Sequence, residues 1–144
     1  MLRPLTRRQR DWVDRVLASM SLEQCVGHLL CPEDRSYGID DWRAIVRDAH
    51  VGSVFIGQCK QGDRRACLEA IQEAASLPVL VAADMESGCR DEAGGTAFPS
   101  AMAQAAVGDI EFTRALGRAL AIEARASGTH WSFSPVGCYP LRGD

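Results

Sequence analysis

The stretch LVAADMESGC, residues 80–89, decides how the chain is read. Leu80 to Ala83 is a short, continuous apolar run that follows Pro78 and Val79 and stops at Asp84. A run of this length, bounded by a breaker and enriched in β-branched residues, reads as a buried strand. VLVAAD (79–84) is therefore a strand that ends in acid, with a second acid, Glu86, two positions on and Ser-Gly after it. A strand apolar on both faces belongs in a sheet covered by helices, which is the habit of parallel sheets.

Working outward, VGSVFIG (51–57) has the same character and reads as an earlier buried strand. Between the two, residues 63–76 carry Cys67, Leu68, Ile71 and Ala75 at helical spacing, and Pro78 ends the helix. Downstream, PSAMAQAAVG (99–108) starts a helix with Pro99 near its first turn, and Gly108 interrupts it. DIEFTRALGRALAIEARASG (109–128) is a further helix, capped by Asp109 and closed by Gly128. THWSFSPV (129–136) is a third strand, with Thr129, Trp131 and Phe133 on one face and His130, Ser132 and Ser134 on the other.

Upstream, DWVDRVLASM (11–20) has apolar residues at helical spacing. Ser21 opens SLEQ, a capping box in which Gln24 reaches back, and that helix runs to about Leu30 before Pro32. A third helix is expected over 40–49, with Trp42, Ile45 and Val46 on one face. RPLTRRQR reads as a solvated lead-in rather than a binding arm. Residues 1–50 thus form a helical lead-in, and 51–144 alternate strands with helices in one domain. That order implies an α/β fold with a parallel sheet and right-handed crossovers.

Bulk properties narrow the function classes. At 144 residues, 47% hydrophobic and 24% charged, the chain is globular, and its net charge of -3 offers nothing to a nucleic acid. No apolar run approaches the roughly 20 residues of a membrane span. The basic N-terminus has no apolar region behind it, so the cytoplasm is the expected compartment. Cysteines at 25, 31, 59, 67, 89 and 138 form no C-x-x-C pair, which argues for free thiols and against a structural zinc. The glycines at 52, 57, 88, 94 and 95 form no phosphate-binding or dinucleotide motif. No cofactor or metal is expected.

In parallel α/β folds, ligands sit at the carboxyl ends of strands, where Asp84 lies. Position alone fits two readings: a carboxylate presented to a polar ligand, or a helix cap or loop salt bridge. Asp84 and Glu86 rise from one strand end and would flank a substrate poorly, so ligand binding or loop support is favoured over a catalytic pair. Arg90 is placed to pair with Glu86 or to touch ligand. Cys89 has no paired His nearby, and a lone His130 on a strand is more often a satisfied structural residue than a base.

Five blocks then carry a resemblance: MSLEQCVGHLL, VGSVFIG, LPVLVAADMESG, GGTAFPSAMAQAAVGD and ALGRALAIEARASGTHWSFSPV. In this order and at these distances they resemble the N-terminal domain of glycoside hydrolase family 3, which holds β-glucosidases and β-N-acetylhexosaminidases. The resemblance runs from about Trp12 to Val136. It implies a (β/α)8 TIM-type barrel, of which this chain holds roughly the first three parallel strands with their helices. It also implies hydrolysis of terminal β-linked glucosides or N-acetylglucosaminides with retention, through an aspartate nucleophile and a separate acid/base.

Asp84 matches the family aspartate that hydrogen-bonds sugar hydroxyls, and Glu86 and Gly88 match its D-x-E-x-G turn, with Glu86 expected to steady it. The substrate-binding set is then Asp84, Glu86 and Arg90, with a carbohydrate ligand and no nucleic-acid or membrane partner. Three positions depart from the family pattern: Cys25 stands for a usual Lys, His28 for a usual Gln, and Cys138 where an Asp usually follows SPV. The family's nucleophile and acid/base segments lie beyond position 144, so no catalytic residue is assigned and no turnover is expected of this chain alone. A non-catalytic sugar-binding or interaction module is the alternative. A whole barrel needs about 250 residues and eight strands, so the three strands here are expected to expose two unpaired edges. Self-association, or docking to the remaining barrel half, follows as an expectation.

Overall fold

The structure is a computed structural model that describes residues 3–33, 37–56, 64–89 and 95–134. Its order is α1 (Arg7–Ser19), α2 (Leu22–Gly27), α3 (Ile39–Ala49), β1 (Ser53–Phe55), α4 (Arg64–Ala74), β2 (Leu80–Ala83), α5 (Ala101–Val107), α6 (Ile110–Ala126) and β3 (Trp131–Ser132). The three strands form one parallel sheet in the order β1-β2-β3, with Val54 opposite Val81 and Ala82 opposite Trp131. The alternating α/β reading is borne out, with strands shorter than the apolar runs suggested.

Local chemistry explains most boundaries. Ser21 and Gln24 cap α2 reciprocally, Ser21 Oγ accepting the Gln24 N–H at 3.2 Å. Asp109 Oδ1 accepts the N–H groups of Glu111 and Phe112 at the start of α6. Gly128 closes α6 with φ at +83°. The Thr129 N–H then reaches back to Ala124 O at 2.8 Å. Two boundaries differ from expectation. Helix α1 begins inside RPLTRRQR, because Thr6 and Gln9 form a second capping box there. Helix α2 stops at Gly27 rather than Leu30, where the chain passes close to the end of α3. A Cβ at Gly27 would lie 2.1 Å from Ala49 O.

One face of the sheet carries the core. Val54, Ile56 and Val81 pack with Trp42 and Val46 of α3 and with Cys67 and Ile71 of α4. Trp42 is 1% exposed, and the Tyr37 ring meets it edge-on at 5.2 Å. The other face carries Phe55, Trp131 and Phe133, whose rings form a chain at 5.3 and 4.8 Å between centroids. Here Leu80 is 51%, Trp131 47% and Phe133 41% exposed.

Only part of the expected edge exposure is found. The chain leaving α2 runs beside β1: the Phe55 N–H bonds Pro32 O at 2.9 Å, Glu33 bridges Phe55 in parallel, and Ser53 Oγ bonds Leu30 O. The outer edge of β1 is therefore covered. Among the described residues, β3 pairs with β2 alone.

Trp42 fills the interface between α3 and the sheet. Trp42→Ala is expected to destabilise the chain by about 3–5 kcal/mol, as other large aromatic truncations in cores do. Urea unfolding checks it; a loss under about 1 kcal/mol would mean that α3 is not part of the core.

Candidate functional site

Side chains alternate along β2: Val81 and Ala83 face the helices, and Leu80 and Ala82 face the aromatic side. Met85 continues the helix side, 5% exposed in a cluster with Ala83, Cys89 and Ala124 and packed against Leu120. Asp84 follows on the aromatic side, and the register carried on by one residue sets it beside Phe133. It is exposed, and among the described residues its carboxylate has no hydrogen-bond or ion-pair partner. The helix-cap and salt-bridge readings of Asp84 therefore have no support in the described structure.

The segment after Asp84 is held by its backbone and by neighbouring elements. The Gly88 N–H bonds Met85 O at 3.3 Å, which closes a turn over 85–88. Gly88 has φ at +89°, and a Cβ there would lie 2.2 Å from Thr96 O. The returning chain pairs with the turn, Phe98 N–H to Ser87 O at 2.9 Å, and Gly88 bridges Ala97 in antiparallel fashion. Glu123 of α6 fastens that return by accepting both the Thr96 hydroxyl and the Thr96 N–H. Those two bonds, the hydroxyl first, hold the Glu123 carboxyl below the usual glutamate range. From β3, Ser134 Oγ accepts the Met85 N–H at 2.9 Å, directly after Asp84.

Glu86 does not steady the turn as expected. It is exposed and, among the described residues, makes no hydrogen bond. It lines a cavity of about 530 Å³ between the turn and α5–α6, with Met85, Phe98, Met102, Leu116 and Leu120. Asp84 is not part of that lining. The turn is steadied by Gly88, Ser134 and the Thr96–Glu123 contact. Arg90 lies outside the described residues.

Sequence reading missed the roles of Ser134 and Arg64. Arg64, in the first turn of α4, donates to Ile56 O at 2.9 Å, Thr129 Oγ1 at 2.9 Å and Ser127 O at 3.3 Å. It thereby ties the end of β1 to the entry of β3. His130 accepts the Val81 N–H through Nδ1 at 3.1 Å, a satisfied structural histidine as expected of a lone His on a strand. Cys25 and Cys31 are free thiols, and Cys67 and Cys89 are buried. Among the described residues no group of three or more His, Cys, Asp or Glu is placed to hold a metal ion. No described helix is long and apolar enough to cross a membrane.

A parallel sheet with helices on one face, an unpartnered carboxylate at a strand's carboxyl end and a glycine-fixed turn after it have the layout of part of an α/β barrel seen at its ligand-binding end. The model of the glycosyl hydrolase family 3 N-terminal domain matches residues 21–137, and the chain belongs to that family. It is 31% identical over 126 residues to a β-N-acetylglucosaminidase/β-glucosidase from Cellulomonas fimi, a match that covers 87% of this chain and 22% of that protein. Among solved structures it is similar to a β-glucoside phosphorylase, at 26% identity and a TM-score of 0.74, over 91% of this chain and 24% of that one. It is also similar to a family 3 β-N-acetylglucosaminidase from a Paenibacillus species, at 27% identity and a TM-score of 0.65, over 81% of this chain and 24% of that one. An exo-1,3/1,4-β-glucanase from a Pseudoalteromonas species shares the fold, at 23% identity and a TM-score of 0.70 over 90% of this chain and 23% of that one. The chain spans about a quarter of the length of these relatives.

Gly88→Ala tests the turn. Both the left-handed backbone and the Thr96 carbonyl oppose a side chain there, and the expected loss of stability is about 2 kcal/mol or more. A urea midpoint equal to wild type would show that the turn tolerates a Cβ and is not fixed in the way described.

Proposed function

We propose that this chain is the sugar-gripping part of a family 3 glycoside hydrolase that acts on terminal β-linked glucosides or N-acetylglucosaminides, with Asp84 as the residue that holds the sugar. The observation that carries the reading is the exposed, unpartnered Asp84 carboxylate at the end of β2, on a turn fixed from three directions. A carboxylate can accept two hydroxyl donors in short charge-assisted bonds, which orients a pyranose while leaving its anomeric carbon free for attack. Support also comes from the relatives, which are named for glucosidase, N-acetylglucosaminidase and glucoside phosphorylase activity. Glu86 and Arg90 remain proposed ligand contacts, Glu86 from the cavity side and Arg90 on sequence alone.

Retaining hydrolysis needs a nucleophile and an acid/base, and no residue of this chain is assigned to either role, so the 144 residues alone are expected to turn nothing over. Titration of glucose and N-acetylglucosamine into the full chain tests the reading. Saturable binding lost about tenfold or more in Asp84→Ala, with no nitrophenol released from aryl β-glucosides, is expected. Equal affinity in wild type and Asp84→Ala would overturn it.

The cytoplasm is the proposed compartment, supported by the free thiols of Cys25 and Cys31. The exposed Leu80, Trp131 and Phe133 and the outer edge of β3 support association, either with further barrel strands or with a second copy. Sedimentation should show concentration-dependent association that weakens in Trp131→Ser/Phe133→Ser. A monomer across the whole concentration range would contradict it.

A further inference from the structure

Strand β3 is two residues long, yet it holds β2 over a wider span. Its own backbone supplies pairing opposite Ala82 and Ala83. The backbone also joins the strands through His130 N–H on Val81 O at 2.8 Å and Phe133 N–H on Ala83 O at 3.1 Å. Two side chains add to this: His130 Nδ1 accepts the Val81 N–H at one end, and Ser134 Oγ accepts the Met85 N–H at the other. Val81 and Met85 are both buried, at 1% and 5% exposed, so neither amide has water as an easy substitute. The two bonds enclose the Asp84 position, one on the strand before it and one on the residue after it.

We infer that His130 and Ser134 are positioning residues that fix the turn carrying Asp84, and that protonation of His130 loosens it. The value of this for a ligand rests on the reading of Asp84 as the sugar-binding group. Only a neutral imidazole can accept at Nδ1, because both ring nitrogens of the cation are donors. The charged groups around His130 are Arg125 of α6 and, across a shared groove, Glu69 and Glu73 of α4; β2 brings only the uncharged Val81 backbone to it, N–H and carbonyl both. Burial first, and Arg125 second, lower the His130 pKa from its ordinary 6.5. A lowered folded-state value means that the contribution is complete above the ordinary imidazole range and is lost as pH falls through the folded value. In acid the Val81 N–H loses its acceptor while the His130 N–H still bonds Val81 O, so the junction of β2 and β3 loosens without parting, and the Ser134 contact to Met85 weakens with it.

Amide hydrogen exchange, read as protection factors on the full chain, tests this. In Ser134→Ala, protection of Met85 is expected to fall on the order of tenfold while Val54 keeps its protection, and Ser134→Thr, which retains the hydroxyl, should stay near wild type. In wild type, protection of Val81 and Met85 should drop as the solution is taken from about pH 7.5 to about pH 5, and His130→Asn should remove that pH dependence. Unchanged Met85 protection in Ser134→Ala overturns the inference. If that variant does not fold, flat Val81 and Met85 protection across the pH range in wild type overturns it instead. Glucose titration of the same samples separates the two readings. Affinity that falls with Met85 protection supports both. Responsive amides in a wild type that binds no sugar support the positioning and remove the sugar role of Asp84.

Discussion

Every buried backbone N–H needs an acceptor, and in this chain that rule sets how β2 can be held. Strand β2 lies between β1 and β3, and its exposed continuation, Asp84, is flanked by the Val81 and Met85 amides, which bond His130 Nδ1 and Ser134 Oγ. On the β1 side the strand backbones suffice, with Leu80 N–H on Gly52 O and Ile56 N–H on Ala82 O, both at 3.0 Å. On the β3 side His130 N–H on Val81 O and Phe133 N–H on Ala83 O do the same, and an imidazole and a hydroxyl take the Val81 and Met85 N–H groups. Arg64 then keeps β3 in place by fastening Thr129, just before it, to the end of β1. The carboxylate at the strand end is thus a product of hydrogen bonding spread over α4, β1 and β3.

The two faces of the sheet follow different physics. The helix side is a closed apolar core around Trp42, Ile71, Val54 and Val81. Among the described residues the aromatic side is open: Phe133 contacts Trp131 and Phe55 there, and Trp131 and Phe133 stay exposed. A barrel interior is filled by side chains from all its strands, so an uncovered aromatic row is what a partial barrel presents. Asp84 sits at the end of that open side, while Glu86 turns toward the cavity under α5 and α6.

How much of this is legible in the sequence depends on whether the signal is local. Apolar runs, breakers and caps are local, so the order of elements and the parallel sheet can be read from residues 51–136. Asp84 is legible because a strand that stops at an acid places that acid at a carboxyl end. The capping box at Thr6 and Gln9 is also local, but the basic residues around it mask it. What is not legible needs contacts across the chain. Ser134 reaches Met85 across 49 residues, Arg64 reaches Thr129 across 65, and Glu123 reaches Thr96 across 27, with no spacing pattern to announce any of them. Glu86 is misplaced by sequence reading for the same reason: its side is set by a turn that distant residues fix. The cover over β1 escapes notice because residues 30–33 have no strand-like alternation.

The central claim is that ligand meets the sheet's open side at Asp84 rather than the apolar cavity beside Glu86. Titrating glucose into the chain with labelled Asp, Phe and Met side chains tests this directly by NMR. The account predicts saturable shifts at the Asp84 carboxyl and the Phe133 ring, with Met102 still. Shifts confined to Met85 and Met102, the cavity's two methionines, would contradict it.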